Sequence, residues 1–210
     1  MNPIPRLSAD DRRAQIIEAV TPAVLEHGAA ITTRQLSDAA GVAEGTLFKA
    51  FGDKESLLLA LAEFHLSVRE TGESGLPALD SLEEVVEWTL RVLVDRMQFV
   101  FRLVMALGPI GQRAAAGAKG EFEASKHRLA ERFVPFRDEL RVPPVVAAEV
   151  VRTLAWAAAS NWGEQTPVSS VDDILQVLLH GIVRTQTAPS AAADPLPAGT
   201  PASALEDQKA

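Results

Sequence analysis

Thr32-Thr33-Arg34-Gln35-Leu36-Ser37-Asp38-Ala39-Ala40-Gly41-Val42-Ala43-Glu44-Gly45-Thr46-Leu47-Phe48 sets two short helical patterns around one glycine. Leu36, Ala39, Val42 and Leu47 fall where they face inward, and the small Ala39 and Ala40 let two helices approach closely. Gly41 supplies a left-handed turn that a Cβ would penalise. This is the spacing of a helix-turn-helix. On spacing alone it fits any corner between packed helices as well as a unit that reads DNA.

The neighbouring segments are helical too, because apolar residues recur at intervals of three and four and almost no run alternates at period two. Ser8-Ala9-Asp10-Asp11 caps a first helix whose stripe is Ile16, Ile17, Val20 and Val24, and Gly28 stops it. A second helix opens at Thr33 and a third runs over 45–51. Gly52-Asp53 leads into a fourth, from Lys54 to about Arg69. Gly72, Gly75 and Pro77 then break the pattern. Ser81-Leu82-Glu83-Glu84 caps a long helix that ends at Gly108-Pro109. A loosely helical stretch reaches Gly120, and another helix runs from Glu121 to about Phe133. Pro143-Pro144 starts a helix reaching Asn161, and Ser169 or Ser170 starts a last one ending near Arg184. The expected fold is all-α with about nine helices. A three-helix unit and its connecting fourth helix occupy residues 1–70, a larger helical domain residues 71–186, and a disordered Pro- and Ala-rich tail residues 187–210.

Composition narrows the chemistry. The 210 residues carry a net charge of -8, so bulk charge draws this chain to no polyanion and any nucleic-acid contact is local. Without Cys there is no thiolate nucleophile and no Cys-based metal site, and the four His stand too far apart to chelate locally. No metal or cofactor is expected. A nucleophile elbow and a Gly-rich phosphate loop are both missing, which argues against an enzyme. No stretch approaches the ~18 apolar residues of a membrane span, and the N-terminus has no secretory apolar region, so a cytoplasmic location is expected.

The run from Thr32 through Gly45-Thr46-Leu47-Phe48-Lys49-Ala50-Phe51-Gly52-Asp53-Lys54-Glu55-Ser56-Leu57 resembles the DNA-binding domain of the TetR family of transcriptional regulators. The likeness covers roughly residues 12–61. The remainder agrees with the family only in helix order and length. The resemblance implies a dimeric, ligand-responsive regulator, with repression as the default mode, that binds double-stranded DNA at a pseudo-palindromic operator.

It also implies roles for particular residues. Thr33 would touch phosphate, and Arg34 would reach a base, its planar fork matching guanine O6 and N7. Glu44, Gly45 and Thr46 would approach base edges from the start of the recognition helix. Glu44 would either select a cytosine N4 donor or cap its helix. Lys49 and Lys54 are candidate phosphate contacts. Two positions depart from the family pattern: Phe48 stands where a Tyr is usual, and Ala50 where His or Tyr is usual. Residues 1–65 carry six Lys and Arg against nine Asp and Glu. Weaker non-specific binding with a shallower salt dependence is the expected result.

In the second domain the helix over 145–159 is apolar nearly all round, with only Glu149 and Arg152 charged, as in a helix covered on two sides. A twofold four-helix bundle would cover it, with Val150, Leu154, Leu175, Leu178 and Ile182 at the dimer interface. Trp88, Met97, Phe101, Met105, Phe122 and Trp156 lie on the helices that surround a ligand cavity in the family. Together they suggest a small apolar effector. The competing reading is a helical dimeric interaction protein whose helix-turn-helix no longer reads DNA.

Overall fold

The computed structural model describes residues 8–67, 79–160 and 170–182, except for the side chains of residues 119, 121–124 and 182. Helix α1 (Ala9–His27) begins at a reciprocal cap: Ser8 Oγ accepts the Asp11 N–H at 3.0 Å, and the Asp11 carboxylate accepts the Ser8 N–H at 3.2 Å. Gly28, at φ 60°, ends it and opens a 3-10 turn, Gly28–Ala30. A second reciprocal cap, Thr32 with Gln35, starts α2 (Thr33–Ala40). Gly41 at φ 63° makes the expected left-handed turn into α3 (Glu44–Phe51). Asp53 accepts the Ser56 N–H at 2.7 Å and so caps α4 (Lys54–Leu66), which ends three residues earlier than the apolar pattern suggested.

The long helix α5 (Leu82–Leu107) starts at Ser81, whose Oγ accepts the Glu84 N–H. The Glu84 carboxylate turns to the Asp80 N–H instead of returning to Ser81. α6 (Pro109–Gly117), α7 (Lys119–Glu131), α8 (Pro144–Ala159) and α9 (Val171–Ile182) follow, with a 3-10 turn at Val134–Phe136. There is no strand among the described residues. The tail over 187–210 and residues 161–169 lie outside them.

Two apolar cores divide the molecule. The first joins Ile16, Val20 and Val24 of α1 to Leu36, Leu47, Leu58 and Leu61 of α2–α4, and it is closed by Leu103 and Leu107 at the end of α5 and Ala114 of α6. The second joins Val85, Val86, Leu90 and Val94 at the start of α5 to Phe133, Leu140, Ala147, Val151, Ile174 and Leu178. Each fully buried Leu or Ile contributes about 1.5–3 kcal/mol relative to exposure. One continuous helix of 26 residues therefore holds a share of both cores.

Three side chains lie differently from the expected pattern. Ala39 is exposed, and its neighbour Ala40 packs against the first core instead. Leu175 and Leu178, expected at a dimer interface, are buried in the second core beside Ile174, and the side chain of Ile182 lies outside the described residues. The outward side of α9 is Asp173, Gln176, Val177 and His180, with Val177 57% exposed. Helical period identifies an apolar stripe, but not whether it meets its own chain or another. The uncovered apolar surface lies on α8, at Val145, Val146 and Trp156. Val150 and Leu154, both half-buried, sit with Val145, Val146 and Thr153 in an open groove of ≈ 510 Å³ rimmed by Lys126 and Glu149.

Candidate nucleic-acid interface

Leu36, Leu47 and Phe51, all buried, fix α2 and α3 from behind, and the Arg13 guanidinium lies 4.9 Å over the Phe51 ring. At the front, Thr33 Oγ1 donates to Glu44 Oε2 at 3.3 Å, tying the first residue of α2 to the first residue of α3. The Glu44 carboxylate thus lies at two helix N-termini, where the backbone dipoles favour negative charge. No side-chain cap bond forms at the start of α3.

Arg34, Glu44, Gly45, Phe48 and Lys49 are exposed, and Thr33 and Thr46 are half-buried. Arg34 and Lys49 make no ion pair among the described residues, so both cations can meet phosphate or a base edge. A Cβ built on Gly45 would meet nothing within 4 Å, so the fold itself does not need a glycine there. Thr46 turns sideways into a groove of ≈ 420 Å³ that it shares with Arg12 and Gln15 of α1. Ala50 is half-buried against the first core.

Lys54 serves a different use from the phosphate contact expected of it. Its ammonium donates to Ala29 O at 3.1 Å and Ile31 O at 3.0 Å, closing the turn that delivers the chain to α2. Asp53 beside it is held below the usual carboxylate range, chiefly by the Ser56 backbone N–H and then by the Ser56 side chain.

Helices α1 to α4 with this geometry match a known arrangement: the family model for bacterial regulatory proteins of the tetR family fits residues 17–61. These helices match the TetR family. The HTH-type transcriptional repressor AcnR of Corynebacterium efficiens is 45% identical over 67 residues, 30% of this chain and 36% of that repressor. AcnR of Corynebacterium glutamicum is 45% identical over 51 residues, 24% of this chain and 27% of its own length. The chain thus matches about a third of these curated relatives. The fold likeness runs further: the fatty acid degradation regulator FadR from Bacillus halodurans superposes with a TM-score of 0.57 at 18% identity, over 85% of this chain and 97% of that one.

The residues expected to line an effector cavity are scattered by the TetR-like fold. Trp88 and Met97 are half-buried on α5, with the Arg132 guanidinium 4.7 Å over the Trp88 ring. Half-buried Phe101 meets Trp156 edge-on at 6.3 Å, but Trp156 is 49% exposed. Met105, 79% exposed, faces away from both cores and lines no interior. The side chain of Phe122 lies outside the described residues, as do Asn161 and Trp162. No group of three or more His and carboxylates that could hold a metal occurs among the described residues.

The grip on α4 was not apparent from sequence. Arg96 of α5 is half-buried and donates to His65 O and to Ser67 O, closing the C-terminal end of α4. Burial lowers its pKa from the ordinary guanidinium range. Arg113 of α6 pairs with Glu55 at the other end at 2.8 Å. Between them His65 lies edge-on to Phe99, with its Nε2 2.9 Å from Thr21 Oγ1 of α1. Gly28 is as tightly placed: a Cβ there would stand 2.5 Å from Ala106 O of α5. These partners are separated by tens of residues, so no local pattern marks them.

Proposed function

We propose that this chain is a TetR-family transcriptional repressor that binds a pseudo-palindromic operator as a dimer and is released by a small apolar effector. The observation that carries this reading is the α3 surface, where Gly45, Phe48 and Lys49 face outward on a helix fixed by buried Leu47 and Phe51. A helix so held can enter a major groove without distorting, and Arg34 beside it offers a bidentate donor for guanine. The Thr33 hydroxyl and Lys49 would position the helix on phosphate.

The proposed dimer surface is the outer side of α8, at Val145, Val146, Val150 and Leu154, with Val177 of α9. Apolar residues exposed together on one helix favour association. Twofold pairing there would place the two reading helices about one DNA turn, ~34 Å, apart or slightly more. The proposed effector site is the side of α5 that carries Met97 and Phe101, four residues apart and both half-buried. An effector that prefers a conformation with a different head spacing weakens operator binding by the same factor by which DNA weakens its own binding. Helix α4 is the proposed transmitter, because α5 and α6 hold it at both ends.

The test is a fluorescence-anisotropy titration of the full chain against the DNA flanking its own gene, with the sedimentation velocity of free protein and complex. Expected are a dimer, saturable salt-dependent binding, and relaxed base preference at one position per half-site for Arg34→Ala. A monomer that binds all duplexes equally would overturn the reading.

A further inference from the structure

The exposed surface of α3 holds an aromatic ring where a DNA-reading helix ordinarily shows polar groups. Phe48 is 42% exposed, between Glu44 on one side and Lys49 on the other, and one turn after Gly45, which has no side chain. Glu44 is engaged by Thr33, and Thr46 turns aside into the groove with Arg12 and Gln15. The centre of this surface is therefore one apolar ring beside a gap. A ring without donor or acceptor cannot read the hydrogen-bonding groups of a base edge. The apolar feature that the major groove presents is the C5-methyl of thymine.

We infer that Phe48 is a specificity-determining residue that packs on a thymine methyl in each half-site, the open space over Gly45 letting the base edge come close enough for contact. The inference rests on the operator-binding reading above and adds one base to it. Burying a methyl is worth ~0.8 kcal/mol, a three- to fivefold change in affinity per thymine. Arg34, across the turn, selects a different base by hydrogen bonding, so the two contacts are separable.

The experiment uses the full chain and a duplex selected by it from a random-sequence pool. Each thymine of the selected duplex is replaced singly by deoxyuridine, which pairs identically but lacks the methyl. Expected is one position per half-site where the replacement costs the wild type about three- to fivefold in affinity and costs Phe48→Ala nothing. Phe48→Leu, a smaller change at the same exposed position, serves the same comparison if Phe48→Ala folds poorly, with the methyl effect expected to shrink but not to vanish. Absence of any methyl-sensitive thymine, or an equal loss in both proteins, overturns the inference. Failure to enrich any duplex instead overturns the operator-binding reading on which it rests.

Discussion

Replacing Lys54 by Met separates two roles that a lysine beside a helix-turn-helix can play. Methionine retains the length of the side chain and removes the ammonium that donates to Ala29 O and Ile31 O. A hydrogen bond to a charged donor is worth about 1.5–3 kcal/mol when its loss leaves a buried group unsatisfied. Lys54 is only half-buried, so water can reach the two carbonyls, and about 2 kcal/mol for the pair is the reasonable magnitude. For a chain of this size that lowers Tm by about 4–8 °C. The salt dependence gives the second reading. A lysine that neutralises a phosphate contributes about 0.9 to the slope of log affinity against log salt, so a bracing lysine leaves the slope unchanged on substitution. Differential scanning fluorimetry and anisotropy titrations at four salt concentrations measure both. A slope reduced by about one with an unaltered Tm would refute the bracing role and restore Lys54 to the DNA surface.

Gly45→Ala adds a methyl where the fold has room, so Tm should hold or rise by about 1–2 °C from improved helix propensity, while misfit against DNA costs about tenfold in operator affinity; unchanged affinity would remove α3 from the interface. Val146→Asp, on the exposed side of α8, should convert a sedimenting dimer to monomer with little change in the far-ultraviolet circular dichroism, and a persistent dimer would place the interface elsewhere. Asp53 contributes its capping stability above the ordinary carboxylate pKa and loses it as pH falls through the lowered folded value. Asp53→Asn keeps a competent cap but should flatten the acid limb of a Tm-versus-pH curve below about pH 5, and identical limbs would argue against the assignment.

The helix ends were legible because their signals are local. Ser8 with Asp11 and Gly41 act within a few residues of chain, and each forms as expected, while the Thr32–Gln35 cap is an equally local signal that the sequence reading passed over. The side-to-side assignments were less so. Leu175 and Leu178 were apolar at the right spacing, yet their own core takes them, because the α5–α8 packing leaves room for α9 on the inside. Met105 was grouped with the lining residues because it lies on α5, and it is exposed because it falls on the side of that helix away from buried Leu103 and Leu107. On the exposed side of α2 and α3, Thr33, Arg34 and Gly45 lie at or next to the first turn of their helices. The Thr33–Glu44 bond and the Lys54 bracing needed coordinates in space, since they join residues 11, 23 and 25 apart.

Gly28 also changes how the two halves relate. With no side chain between its backbone and Ala106 O, the end of α1 rests directly on the long helix. Residue 28 is then a natural shim. Side chains of graded size there would prise α1 outward from α5 by increments, altering the angle between the first four helices and the long helix while leaving both the exposed α3 surface and the apolar interior chemically untouched.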